Sequence, residues 1–151
     1  MGTVLGDPAN NEKRAELLAL VIKLSEARIR GQFEILESVA TEDVVVRLVG
    51  NRALSPFAGV FRGVKAARAA LENLSIEFEY RDMKLDHLMI DGDQVGMRWT
   101  GILRNRGTSA QAQFEGFVHI IFRDDLICEY AAFIDTAGMA YLADWHQKLA
   151  S

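Results

Sequence analysis

The chain has 151 residues, half of them apolar and a quarter charged. That is about one domain's length, enough to bury a core without a disulfide or metal staple, and no apolar run approaches the roughly 18 residues of a membrane span. Seventeen Lys and Arg against 21 Asp and Glu give a net charge of −4, a balance without the basic footprint of a nucleic-acid binder.

Met1–Asn10 lacks the basic region and apolar stretch of a secretion signal, and Gly6 stands where a myristoylation signal carries Ser or Thr. Residues 1–10 are expected to form a loose lead-in to a single domain over 11–151. The lone Cys128 excludes a disulfide within the chain, and its apolar neighbours mark it as a small core residue, not a reactive thiol. The expectation is a reduced, cytoplasmic protein.

From Asn11 the pattern is helical, with Leu17, Leu20, Val21 and Leu24 recurring at three and four. Gly31 interrupts it, and Phe33, Leu36 and Val39 continue as a second short helix to Ala40. Thr41–Asp43 reads as a turn, the β-branched run Val44–Val49 as a strand, and Gly50–Arg62, with Pro56 and Gly59, as a surface loop. Ala-rich Gly63–Leu74 is a third helix, whose Arg62, Lys65 and Arg68 form a mildly basic, solvated face.

After Ser75 the period changes to two, with Ile76, Phe78 and Tyr80 alternating with Glu77 and Glu79. The phase shifts near Arg81–Asp82, which predicts a bulge in one long, bent strand. Turns at 91–93, 105–107 and 123–125 then separate strands over 95–104, 111–122 and 126–135. Gly138–Leu149 closes the chain as a helix, with Met139, Leu142, Trp145 and Leu149 on one stripe. Helices grouped ahead of four long antiparallel strands predict an α+β fold: a strongly curved, mostly antiparallel sheet wrapped on the N-terminal helices, a cone with an internal pocket.

Three short segments carry a resemblance to a known family: Glu42-Asp43 before the first strand, Phe61-Arg-Gly63 entering the third helix, and the ending Ile127–Asp135 followed by a helix. With the order of elements over about residues 12–149, the chain resembles the nuclear transport factor two-like superfamily, in its SnoaL-like (polyketide-cyclase-like) and limonene-epoxide-hydrolase-like branches. The resemblance implies a pocket lined by inner strand faces, frequent dimers, and isomerases, cyclases, hydrolases, dehydratases or plain binding proteins that use no metal and no cofactor. Arg98 and Asp135 fall where the epoxide-hydrolase branch keeps an Arg and an Asp. Thr100, Val46 and Leu48 depart from that branch, standing where it has a second Asp, a Tyr and an Asn. Asp135 and His119 could fill the roles of a cyclase-like Asp and His, and His87 and His146 have weaker claims.

The resemblance makes Asp135 pocket-facing, and strand parity then brings Ala131, Phe133, Glu115, Phe117 and His119 inside with it. Turn-centred register puts Arg98 across from about Glu115 or Gly116, Asp135 across from about Phe114, and His119 across from about Tyr130, too far for a His119–Asp135 hydrogen bond. The expected site is therefore Arg98, Glu115 and Asp135 as acid/base machinery, on a wall of His119, Thr100, Phe117, Phe133, Val46 and Leu48. Two carboxylates beside one guanidinium in a dry pocket would split their pKa values into one acid and one base; the same trio could instead be a structural ion-pair network. Apolar side chains on both faces of the strand over 114–122, with Trp99 and Met97 directed outward, predict a homodimer through the outer sheet face. The expected function is cofactor-independent acid/base chemistry of the isomerase, cyclase, hydratase or dehydratase type on a small, largely apolar molecule. The alternatives are a non-catalytic binding module and a dimerising accessory domain; no nucleic acid, membrane or metal partner is expected.

Overall fold

The first helix, α1 (Pro8–Arg30), lays Leu17, Val21 and Leu24 on one buried stripe. In the computed structural model, which describes residues 8–144, it thus begins three residues before the expected Asn11. The stripe of Trp145 and Leu149, and His146, lie outside the described residues. Gly31, at φ +69°, stops α1 with two bonds, Gln32 N–H to the Ala27 carbonyl and Gly31 N–H to the Arg28 carbonyl. This is the pattern in which a left-handed glycine satisfies the last helical carbonyls. A 3₁₀ turn (Phe33–Ile35) and the single-turn α2 (Leu36–Val39) follow, sinking Phe33, Leu36 and Val39 into the core.

Strand β1 (Ala40–Val49) starts earlier than expected, because Thr41–Asp43 forms an irregular opening to the strand and not a turn. Within the expected loop the chain forms a short edge strand, β2 (Gly59–Arg62), paired antiparallel to β1. Helix α3 (Val64–Glu77) buries Ala67, Ala70, Leu71 and Leu74. Its Arg68 is not merely solvated: it reaches Glu34, Glu37 and Glu72 at 2.6–3.5 Å, tying α3 to the Phe33–Val39 segment.

The long strands β3 (Phe78–Asp91), β4 (Gln94–Asn105), β5 (Gln111–Arg123) and β6 (Leu126–Ile134) form the expected meander. β3 carries its predicted bulge, with register shifts between Arg81 and Lys84 and again between Leu85 and His87. The β5–β6 turn places Asp124 and Asp125 both at positive φ, the geometry of a two-residue hairpin. The six strands run in the order β2-β1-β6-β5-β4-β3, antiparallel except where β1 lies parallel to β6. Helix α4 (Thr136–Leu142) follows β6 directly, capped by the Asp135 carboxylate, which accepts from Gly138 N–H at 3.0 Å. No helix among the described residues is long and apolar enough to cross a membrane.

The core lies between the concave sheet face and the helices, and it fixes which side chains point inward. Val44, Val46 and Leu48 of β1, Tyr130 and Ala132 of β6, Phe114, Val118 and Ile120 of β5, and Val95, Met97, Trp99 and Leu103 of β4 are all buried against the helices. The opposite face carries Arg98, Thr100, Glu115, Phe117, His119 and Phe133. The two faces are therefore the reverse of those expected on β4, β5 and β6: Trp99 and Met97 point in, and Arg98, Glu115 and Phe133 are exposed on the outside. The reason is the cost of burial. Facing Arg98, Glu115 and His119 to the helices would take charged and polar groups out of water, whereas the alternate set is apolar at almost every position.

Candidate active site

A cavity of about 200 Å³ opens between the C-terminal half of α1 and the bent strand β3. Its floor is Met97 and Trp99 of β4, Val118 of β5 and Tyr130 of β6; its walls are Leu24, Tyr80 and Met83. The exposed apolar residues Ile22, Ile29 and Leu85 rim the mouth, beside Glu26 and Lys84. A dry cavity of about 150 Å³ takes up benzene, so this space suits a molecule of one or two rings.

The floor depends on glycines set opposite large side chains. Gly116 pairs with Trp99 across β4 and β5, and a Cβ there would lie 2.2 Å from the Trp99 ring. Gly101 likewise leaves room for the Met83 sulfur. Trp99 meets Tyr80 edge to face, centroids 6.2 Å apart.

One cation reaches this apolar space. Arg28 occupies the next place on the Leu17–Val21–Leu24 stripe of α1 and so points at the sheet, not at water. Its guanidinium donates to the Tyr130 hydroxyl at 2.5 Å and to the Tyr80 hydroxyl at 3.1 Å, and lies 6.0 Å from the Tyr130 ring centroid and 5.1 Å from that of Tyr80. It keeps part of its surface open to the cavity and to a smaller hollow beside Leu48 and Met139. Among the described residues no carboxylate lies within ion-pair distance of it.

Desolvating such a charge costs several kcal/mol. Hydrogen bonds to a charged group contribute about 1.5–3 kcal/mol each, and each cation–π contact adds about 0.5–2 kcal/mol. The two tyrosines thus offset the cost without a counter-ion. Burial disfavours the Arg28 charge, but the oxygens of Tyr130 and Tyr80 outweigh it and raise its pKa above the ordinary arginine value. Burial pushes the Tyr130 phenol up, and Arg28 counters only part of that, so Tyr130 remains protonated at neutral pH.

The residues expected from the sequence lie elsewhere. Arg98 pairs with Phe117, one residue beyond the expected register, and Thr100 pairs with Glu115. These residues share one face, as expected, but it is the outer one. Among the described residues Arg98, Glu115 and Asp135 form no ion pair with one another, and Asp135 is spent on the cap of α4. His119 pairs with Ala131 and bonds Gln94 at 2.9 Å on the same outer face. The Phe117 and Phe133 rings meet there in a tilted contact, centroids 6.4 Å apart. Thr100 lines a groove of about 290 Å³ with Asp82, Lys84 and Gln113, larger than the cavity but more polar and more open to water. Val46 and Leu48 do face inward: Val46 lies in the core, and Leu48 borders the smaller hollow. Arg28 is absent from the expected site; its sign in the sequence is its position on the apolar stripe, four residues after Leu24. Among the described residues no three His, Cys, Asp or Glu side chains gather as metal ligands.

Cys128 sits at the irregularity where β6 pairs with β5, its thiol donating to the Ile121 carbonyl at 3.4 Å. Burial pushes its pKa above the usual thiol value. Iodoacetamide should therefore react slowly at neutral pH, and the rate should still be climbing above pH 9, past the ordinary thiol midpoint of about 8.5. Full alkylation within minutes at pH 7 would contradict this placement.

A family model described as a SnoaL-like domain matches residues 21–130. No curated protein matches the sequence. Solved structures do: an NTF2-like protein from Burkholderia xenovorans LB400 is 23% identical, with TM-score 0.71 over 85% of this chain and 96% of its own. An NTF2-like protein of unknown function from Burkholderia pseudomallei K96243 is 16% identical, with TM-score 0.76 over 85% and 97%. A Jannaschia sp. CCS1 protein that carries the name SnoaL-like polyketide cyclase is 12% identical, with TM-score 0.72 over 85% and 92%.

Proposed function

Because the chain belongs to the SnoaL-like domain family, we propose that it takes a small, largely apolar molecule into the cavity between α1 and β3 and promotes a cofactor-independent proton transfer there, of the isomerase or cyclase kind. The observation that carries this reading is a largely apolar cavity with a hydrogen-bonded polar cluster, Arg28, Tyr80 and Tyr130, at its base. The cluster anchors the polar end of the ligand. Glu26 at the rim, the one carboxylate among the described lining residues, moves the proton. The polyketide-cyclase name of the Jannaschia relative supports the reaction class. TerC, a 13% identical structure co-crystallised with polyporic acid, supports the ligand class.

The test is exchange of the α-hydrogens of 2-tetralone, a bicyclic ketone, followed by proton NMR in D₂O. The protein should accelerate exchange above buffer, and Glu26→Gln should remove most of the gain, since a positioned base contributes about 10²–10⁴-fold. Exchange no faster than in buffer would sink the proton-transfer reading. A specific observation favours a second reading, that of a non-catalytic receptor: Glu26 is exposed, and no Asp or His stands among the described lining residues.

We also propose that two copies join through the outer sheet face. Phe117, Phe133 and Val49 pair side by side there across β5, β6 and β1, with Phe133 and Met89 exposed at 42% and 56%. Exposed apolar side chains clustered in this way mark an association surface.

A further inference from the structure

We infer that the cavity's ligand is an anion, a small ring-bearing carboxylate whose acid group seats on Arg28, Tyr80 and Tyr130. The inference rests on the reading of the cavity as the ligand site and adds the charge of what enters it.

The evidence is the sign of the hydrogen-bonding groups. Arg28 has donors only, and among the described residues two of its N–H groups are used, one on each tyrosine oxygen. Each tyrosine hydroxyl accepts from Arg28, which leaves its own O–H proton to be given elsewhere. Among the described residues neither hydroxyl donates to a protein acceptor. The base of the cavity therefore presents spare N–H and O–H donors around a positive charge; the other hydroxyl among the described lining residues, Ser25, donates to the Val21 carbonyl of its own helix. A ketone, alcohol or amide would engage only part of this set and would bring Arg28 no partner of opposite charge, of which it has none among the described residues. A carboxylate is acceptor-only, takes several donors at once, and carries the compensating charge.

The surroundings sharpen the choice. No carboxylate of the described residues approaches Arg28, and Glu26, the one acidic lining residue, is exposed at the rim. The remaining walls, Ile22, Leu24, Met83, Met97, Trp99 and Val118, ask for an apolar ring. Lys84 is the only other cation among the described lining residues, and it too is exposed.

The test compares two ligands of nearly equal shape, 2-naphthoate and 2-naphthamide, by calorimetric titration of the full chain at low salt. Naphthoate should bind at least about tenfold more tightly. Arg28→Met should erase that preference, bringing the two affinities within about threefold of each other, and Lys84→Met should leave the preference intact. Tyr130→Phe, which keeps the ring and loses only the hydroxyl, should weaken naphthoate selectively and stands in if Arg28→Met fails to fold. Equal binding of both ligands to the unmodified chain would overturn the inference and leave the cavity reading standing. A preference that survives Arg28→Met, or vanishes with Lys84→Met, would overturn it as well. Binding of neither ligand would overturn both.

Discussion

Gly116→Val should lower the stability of the protein by about 3 kcal/mol, at the upper end of what overpacking a core costs, and should abolish binding in the cavity. Gly116 faces inward from β5, and the Trp99 indole lies on its backbone. A Cβ would stand 2.2 Å from one ring carbon and 2.4 Å from the indole nitrogen. Trp99 is only 7% exposed, so it has nowhere to retreat but into the cavity or against Tyr80, whose ring it already meets edge to face. Tyr80 in turn accepts from Arg28. The disturbance thus passes from one strand position through Trp99 to the polar cluster. Urea denaturation reads the stability, and titration with 2-naphthamide reads the cavity. Gly59→Ala is the control, because a Cβ there meets only the Phe61 ring at 3.4 Å, an ordinary contact; it should shift stability by less than about 1 kcal/mol. Equal stability of Gly116→Val and the unmodified chain would refute the packing of Trp99.

If two copies join through the outer sheet face as proposed, Phe133→Glu should convert that dimer to monomer. Phe133 projects from β6 on the outer face, 42% exposed, and meets the Phe117 ring of β5 at a tilt of 55°. In a two-fold interface one substitution is felt twice, because each copy offers the same patch to the other. Two carboxylates then lose water without a partner, at a cost of several kcal/mol, which weakens association by about 10²-fold or more. The isolated fold should scarcely notice, since exposed substitutions usually stay within about 0.5 kcal/mol. Sedimentation at micromolar concentration decides it. A monomeric unmodified chain would mean that the outer face is simply wet.

Much of the fold was legible because its signals are local. The period-two alternation at Phe78–Tyr80, the phase slip at Arg81–Asp82 and the aspartate turn at 124–125 each fix backbone geometry by themselves, and the meander follows from them. Strand β2 escaped notice because four residues beside Pro56 carry no period, and only the edge of β1 gives them a partner. The resemblance to SnoaL-like proteins matched the family to which the chain belongs.

Which face of the sheet meets the helices was not legible, for a different reason. Parity correctly grouped Arg98, Thr100, Glu115, Phe117, His119 and Phe133 on one face, but parity cannot say which face meets the helices. That choice was taken from Asp135, and Asp135 lies past the end of β6, where its carboxylate caps α4. The total apolar content of the alternate set, from Val95 and Met97 to Ile120 and Tyr130, held the answer. Arg28 required a contact between residues 102 apart in sequence, Arg28 with Tyr130. No spacing rule reaches that far.

The most direct measurement is a ¹H–¹⁵N NMR titration of the full chain with 2-naphthoate. The indole N–H of Trp99 and the backbone amides of Tyr80 and Arg28 should shift together and saturate, while those of Arg98, Glu115 and His119 stay in place. Saturable shifts confined to Arg98, Glu115 and His119, with Trp99 unmoved, would put the ligand on the opposite face of the sheet and contradict the assignment of the cavity.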